Sequence, residues 1–241
     1  MIGHKLLGYT WNLTAHYELL ITAHAVHQQE LKQCTFACRE KFKPGPTTTT
    51  AKNGPVIFSN PHFSINAATL DHDTPCLAFT LQETRQINFR PEALKQLQLQ
   101  PGPWLSELRN TLQSTKQDTT IINIPDSRKN FTVKEIAAAI AIIKPGIKIA
   151  YVSDIGFTPE NLKKLIPLIT GADLLLCEAA FLDSAADKAR TSKHLTASQA
   201  GEIAHSAGVK HLKLFHFSPR HHDYEPDFYR EAAKHFSGPI N

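Results

Sequence analysis

Three short apolar stretches, residues 148–152, 173–177 and 212–215, constrain this chain most, because each is separated from the next by residues carrying helix signals. Each stretch is too brief for a stable helix and reads as a buried strand. Thr158-Pro159 places an N-cap ahead of proline at the first helical position, and Leu162, Leu165, Ile166 and Ile169 then share one face. Thr196-x-x-Gln199 is a capping box for a helix with Ala200, Ile203, Ala204 and Ala207 on its apolar side, stopped by Gly208. Thr132-x-x-Glu135 opens another helix expected to reach about Ile143, and a terminal helix is expected over 227–236. Such alternation lays helices over a sheet, so the expected fold class is α/β.

The front half reads differently. Residues 17–22 and 33–42 show strand patterns, with Cys34, Phe36 and Cys38 alternating with polar residues. Residues 63–70 and 76–82 form a second pair, joined by Asp71-His72-Asp73-Thr74-Pro75. Between the pairs, Pro44-Gly45-Pro46, a run of threonines and Asn53-Gly54-Pro55 predict an exposed loop over 44–55. A single domain over 1–241 is expected. Hydrophobic residues at 41% and charged residues at 20% exclude a collagenous or wholly disordered chain. The longest apolar run, 136–143, falls far short of the roughly 18 residues of a membrane span, and no secretory leader is legible, so a cytoplasmic protein is expected. The four cysteines, with no C-x-x-C pair, read as reduced thiols. A net charge of +4 permits an anionic substrate without demanding one.

The 13 histidines are the unusual entry in the composition, since imidazole is the commonest metal ligand. His72, Asp154 and His216 each stand at the far end of an expected strand, where the backbone holds a side chain rigidly. Two imidazoles and a carboxylate suit zinc or manganese. On spacing alone the same trio also reads as a core histidine, a surface histidine and a capping aspartate. His24 and His27 read as exposed polar residues, as do His221 and His222, while His4, His16 and His62 are isolated.

The surrounding residues carry more. Ile149-Ala150-Tyr151-Val152-Ser153-Asp154, Gly171-Ala172-Asp173-Leu174-Leu175-Leu176-Cys177-Glu178-Ala179-Ala180-Phe181, His194-Leu195-Thr196-Ala197-Ser198-Gln199-Ala200 and His216-Phe217-Ser218-Pro219-Arg220 resemble the second half of ribonuclease Z. Leu70-Asp71-His72-Asp73-Thr74-Pro75-Cys76 is similar to the family's third-motif histidine and its following strand. The resemblance implies a metal-dependent phosphodiester hydrolase of the metallo-β-lactamase fold, in the lineage that removes tRNA 3′ trailers. It implies His72 and His216 as metal ligands and Asp154 as the carboxylate bridging two zinc ions, with manganese possible. It also implies His194 as proton donor to the leaving group, Glu178 as its orienting carboxylate, and Ser218 and Arg220 as substrate contacts. Read without the family, His194 is a polar residue ahead of the Thr196 cap and Glu178 a strand-end ion-pair partner.

The family's His-x-His-x-Asp-His cluster occurs nowhere in the sequence, and Lys5-Leu6-Leu7-Gly8-Tyr9-Thr10-Trp11-Asn12-Leu13 is similar to a segment that follows it in some bacterial members. The expected fold is therefore a partial four-layer αβ/βα sandwich without its first strands, holding an incomplete metal site. Apolar sheet surface left open in this way costs roughly 25 cal/mol per Å², so a homodimer or partner chain over it is expected beside a pre-tRNA substrate. The basic Gly/Pro-rich arm of many members is not legible in 90–145, which read as packed helices. Two other functions stay open: a catalytically inactive fragment that only binds, and a hydrolase of small phosphodiesters or esters.

Overall fold

The computed structural model of the chain describes residues 18–114, 120–125, 130–219 and 225–241. In chain order the strands and helices are β1 (Leu20–Val26), β2 (Glu30–Ala37), β3 (Pro44–Ala51), β4 (Val56–Ser59), β5 (Phe63–His72), β6 (Thr74–Glu83), β7 (Gln86–Phe89), α1 (Pro91–Gln96) and α2 (Trp104–Gln113). They continue as β8 (Ile121–Ile122), β9 (Phe131–Thr132), α3 (Val133–Ile140), β10 (Ala141–Lys144), β11 (Lys148–Val152), α4 (Pro159–Ile169), β12 (Leu174–Glu178), α5 (Ala186–Thr191), α6 (Ala197–Ser206), β13 (Leu212–Phe215) and α7 (Glu225–Ala232). The fold is mixed α/β, and the chain divides into two compact units, one of residues 1–60, 64–81 and 148–241, the other of 61–63 and 82–147.

The larger unit carries the sheet that matters for the site, with strand order β13-β12-β11-β6-β5-β4. β11, β12 and β13 run parallel in register, Val152 opposite Cys177 and Glu178 opposite Phe215. Parallel neighbours need crossovers, and α4 and α6 supply them. Alternate strand residues Ala150, Val152, Leu175, Cys177, Leu212 and Leu214 bury one face of the sheet against Leu165 and Ile169 of α4, Ala200 and Ile203 of α6, and Phe228 of α7. Gly201 of α6 is where that packing is tightest. A Cβ there would collide with the Ala232 carbonyl of α7, so only glycine permits the approach.

The same unit contains the antiparallel sheet β1-β2-β3, whose small core is Phe36, Cys38 and Phe42. Residues 44–55 are thus not a loop throughout. Pro44–Ala51 is exposed, yet it is an edge strand against β2, with Thr47 to Thr50 opposite Cys34 to Leu31. β-branched threonines favour the pleat, the prolines sit on an edge, and Gly45 lets the Thr35 carbonyl come within 2.9 Å of where a Cβ would stand. Only Lys52, Asn53, Gly54 and Pro55 connect, with Gly54 at φ 86°.

The smaller unit packs α1, α2 and α3 around Leu94, Trp104, Leu108, Ile122, Ile136 and Ile140. Its capping box at Thr132 and Glu135 forms as the sequence implies. The helix ends three residues earlier than expected, because Ala141 turns extended and Ala141–Lys144 pairs with β7 as β10. Ile142 and Ile143 gain more from a ladder than from a helix that has run out of core.

Candidate functional site

β11, β12 and β13 end at one edge of the sheet, and at or just past each end stands a functional group, Glu178 as the last residue of β12 and Asp154 and His216 in the turns after β11 and β13. Ligands in open α/β sheets gather at the carboxyl ends of parallel strands. Asp154 follows β11 at φ 57° and His216 follows β13 at φ 64°. Asp73 and Lys193, at 59° and 53°, adopt the same left-handed backbone beside them. Each such non-glycine residue costs of order 1–3 kcal/mol and persists only where neighbours hold it.

Glu178, the last residue of β12, is fully buried and is the hub. Its Oε1 accepts the Ile155 N–H at 3.0 Å, and its Oε2 lies 2.7 Å from His194 Nδ1 and 3.3 Å from His216 Nδ1. Facing a carboxylate, His194 Nδ1 carries the proton, which leaves Nε2 as the nitrogen not engaged by Glu178. Asp154 Oδ1 stands 3.8 Å from His216 Nδ1, while Ser153 Oγ donates to Asp154 Oδ2 at 3.0 Å. One ligand atom each from Asp154, Glu178, His194 and His216 falls within 4.8 Å of the others, a spacing that could hold a metal ion. Two imidazoles and carboxylate oxygen fit a borderline-soft divalent cation. Since both Glu178 oxygens already accept hydrogen bonds, the half-exposed Asp154 and His216 are the members with lone pairs to spare.

His72 ends β5 and joins the cluster through His194, their ring centroids 4.6 Å apart, edge to face. Its Nδ1 faces the Lys193 carbonyl at 2.7 Å. A carbonyl only accepts, so Nδ1–H donates and Nε2 keeps its lone pair, the state in which imidazole ligates a metal. His194 in turn meets His216 at 5.3 Å, edge to face. The structure thus brings His72, Asp154, Glu178, His194 and His216 to one place. Ser218 lies two residues beyond His216, half-buried, its N–H donating to Ala180 O at 3.0 Å. Arg220 and the neighbouring His221 and His222 lie outside the described residues, as do His4 and His16. His24 and His27 are exposed, on β1 and just after it.

Several residues at the site went unnoticed in the sequence. Lys193 pairs at 2.6 Å with both Asp71 and Asp73. Its hydrogen bond holds the Asp71 carboxyl below the usual range, and the two aspartates raise the Lys193 ammonium in turn. Asn161, in the first turn of α4, binds the Asp71 backbone at both ends. Cys76 donates its thiol to the Asp154 carbonyl, and burial, then the Asp154 and Glu178 charges, push that thiol up, so it stays protonated. A lysine flanking a histidine and two aspartates flanking another are visible as charge patterns, but nothing along the chain pairs them.

Among curated proteins, ribonuclease Z of Deinococcus radiodurans is 29% identical to this chain over 224 residues, covering 92% of it and 65% of the relative. Ribonuclease Z of Thermobifida fusca is 33% identical over 186 residues, covering 77% of this chain and 53% of the relative. The chain is ribonuclease Z-like. It spans between half and two thirds of the length of these relatives, so the likeness reaches only the part they share with it. No protein-family model matches. Solved structures similar to it include the metallo-beta-lactamase fold protein YhfI of Bacillus subtilis (TM-score 0.44, 18% identity, covering 78% of this chain and 50% of that one). The short form of human tRNase Z superposes with a TM-score of 0.40 at 21% identity, over 68% of this chain and 39% of that one. All five clustered residues of this ribonuclease Z-like chain fall inside the motifs that carried the resemblance.

Proposed function

We propose that this chain is a metal-dependent phosphodiester hydrolase of ribonuclease Z type acting on RNA, with the 3′ trailer of a pre-tRNA as its substrate. The observation that carries this reading is the His194–Glu178 pair at 2.7 Å, its carboxylate fully buried, set among His72, Asp154 and His216. His72, Asp154 and His216 would hold zinc or manganese. Such a metal, when bound, supplies a water nucleophile of lowered pKa and neutralises charge on phosphate oxygens. The buried Glu178 carboxylate holds the ring by its Nδ1–H, which leaves Nε2 to carry a proton to the departing oxygen. After transfer, Glu178 keeps the neutral ring in one tautomer and orientation. Ser218 and Arg220 contact the substrate beyond His216. The free cysteines Cys34, Cys38, Cys76 and Cys177 support a reducing, cytoplasmic compartment.

A hydrolase of small phosphodiesters is the second reading, favoured by one observation. The described residues of 82–147 pack a core around Trp104 and Ile136, and among them no extended basic arm suited to gripping RNA is present. Incubating the purified chain with zinc or manganese and either a pre-tRNA or bis(p-nitrophenyl) phosphate separates the two. Under the first reading the RNA is cut at its 3′ side, and His194→Ala lowers kcat by about 10²-fold or more, while His216→Ala lowers bound metal per chain. Cleavage of the chromogenic ester alone selects the second. Only trace metal, unchanged in His216→Ala, with neither substrate cut, leaves a binding-only fragment.

A further inference from the structure

We propose that Lys193 is a positioning residue that locks the site-bearing loops together, acting on His72 and His194 without touching the substrate. Its ammonium lies 2.6 Å from Asp71 Oδ2 and 2.6 Å from Asp73 Oδ1, the two residues flanking His72 and 122 and 120 positions away along the chain. Its carbonyl accepts the His72 Nδ1–H at 2.7 Å. The next residue is His194, whose own N–H is tied back to Ala189 O at 2.9 Å. Its aliphatic stem lies against the loop that leaves Asp154, since a Cβ added at Gly156 would stand 3.5 Å from Lys193 Cβ and 3.6 Å from Cγ. Gly156 N–H also donates to Asp71 O at 3.2 Å. One residue therefore meets the turn bearing His72, the loop after Asp154 and the approach to His194.

The choice of lysine is informative. Lys193 sits at φ 53°, a conformation in which glycine is unstrained and any other residue is not. Glycine would relieve the backbone but could offer nothing to two carboxylates. A lysine ammonium has three donors on a flexible stem and can serve both at once. An isolated surface ion pair of this kind adds little to stability, so the geometric effect on His72 is the part worth measuring.

The kinetic arm of the test rests on the hydrolase reading, whereas the spectroscopic arm stands without it. In nitrogen-15-labelled full-length chain, proton–nitrogen correlation of the histidine rings should show His72 as one tautomer, protonated at Nδ1. Lys193→Met, and separately the double variant Asp71→Asn with Asp73→Asn, should each give mixed His72 tautomers. Both should also lower kcat about tenfold with KM nearly unchanged, on pre-tRNA and on bis(p-nitrophenyl) phosphate wherever wild type cuts them, since small misplacements of catalytic groups act on turnover. Lys193→Arg, which can still reach two carboxylates, should restore the single tautomer and the rate. The aspartates are half-exposed or more, so the double variant folds even if the lysine variant does not. A His72 spectrum unaltered in both overturns the proposal whatever the kinetics. Loosened His72 signals in a chain that turns nothing over uphold the lock and remove only the hydrolase reading.

Discussion

Asn161 is a buried amide whose oxygen and both N–H groups are engaged: it accepts the Asp71 N–H at 2.8 Å and donates to Asp71 O and Gly156 O, each at 2.9 Å. It pins the end of β5 to the loop after β11, so His72 and Asp154 inherit their separation from a side chain that is itself no ligand. Asn161→Ala strands those backbone groups away from water, at about 1–3 kcal/mol each when unsatisfied. We expect the urea midpoint to fall accordingly, and a change within about 0.5 kcal/mol would mean that water replaces the amide. Asp173 is the counterpart at the opposite end of the sheet. Its Oδ1 accepts the Lys210 ammonium at 2.6 Å and its Oδ2 the Lys148 N–H at 2.8 Å, which together hold its carboxyl below the usual aspartate range. A lowered folded-state value means stability that is full above the unfolded value and is lost as pH falls through the folded one. Asp173→Asn should therefore flatten the decline in urea midpoint between about pH 5 and pH 2 relative to wild type, and parallel curves would refute the assignment.

Helix starts were legible because caps are local. Thr132 with Glu135 and Thr196 with Gln199 form reciprocal boxes, and Thr158 caps α4 by accepting the Asn161 N–H. Thr196 is 2% exposed, and Thr196→Ala should cost about 1 kcal/mol in chemical denaturation. Because His194 stands two residues before that cap, the same variant should reduce turnover more than its stability cost alone explains. Element ends were less legible. The helix expected to reach Ile143 stops at Ile140, and the expected loop at 44–51 is a strand, since in both cases a partner strand decides. Ala, Ile and Thr are compatible with either state, and pairing across the chain is not written in any local window.

At the scale of the whole molecule, a metal held by folded-state residues stabilises the fold by mass action. At a hundred times its dissociation constant, zinc should contribute about 2.7 kcal/mol, a rise in unfolding temperature of several degrees. The rise should vanish in His216→Ala and on chelation, and its absence from wild type would show that the cluster does not hold the ion. The sequence by itself determined the strand–helix alternation of 148–215, the caps, and the candidate residues His72, Asp154, Glu178, His194 and His216, because hydrophobic period, capping chemistry and motif identity are properties of short windows. Tertiary structure alone decided that Glu178 is buried and bonded to both His194 and His216, and that Lys193 and Asn161 fasten the loops around them. The longest of those contacts, Lys193 to Asp71 and Asn161 to Asp71, join residues 122 and 90 positions apart, and such separations close only once the sheet has brought the ends of its strands together.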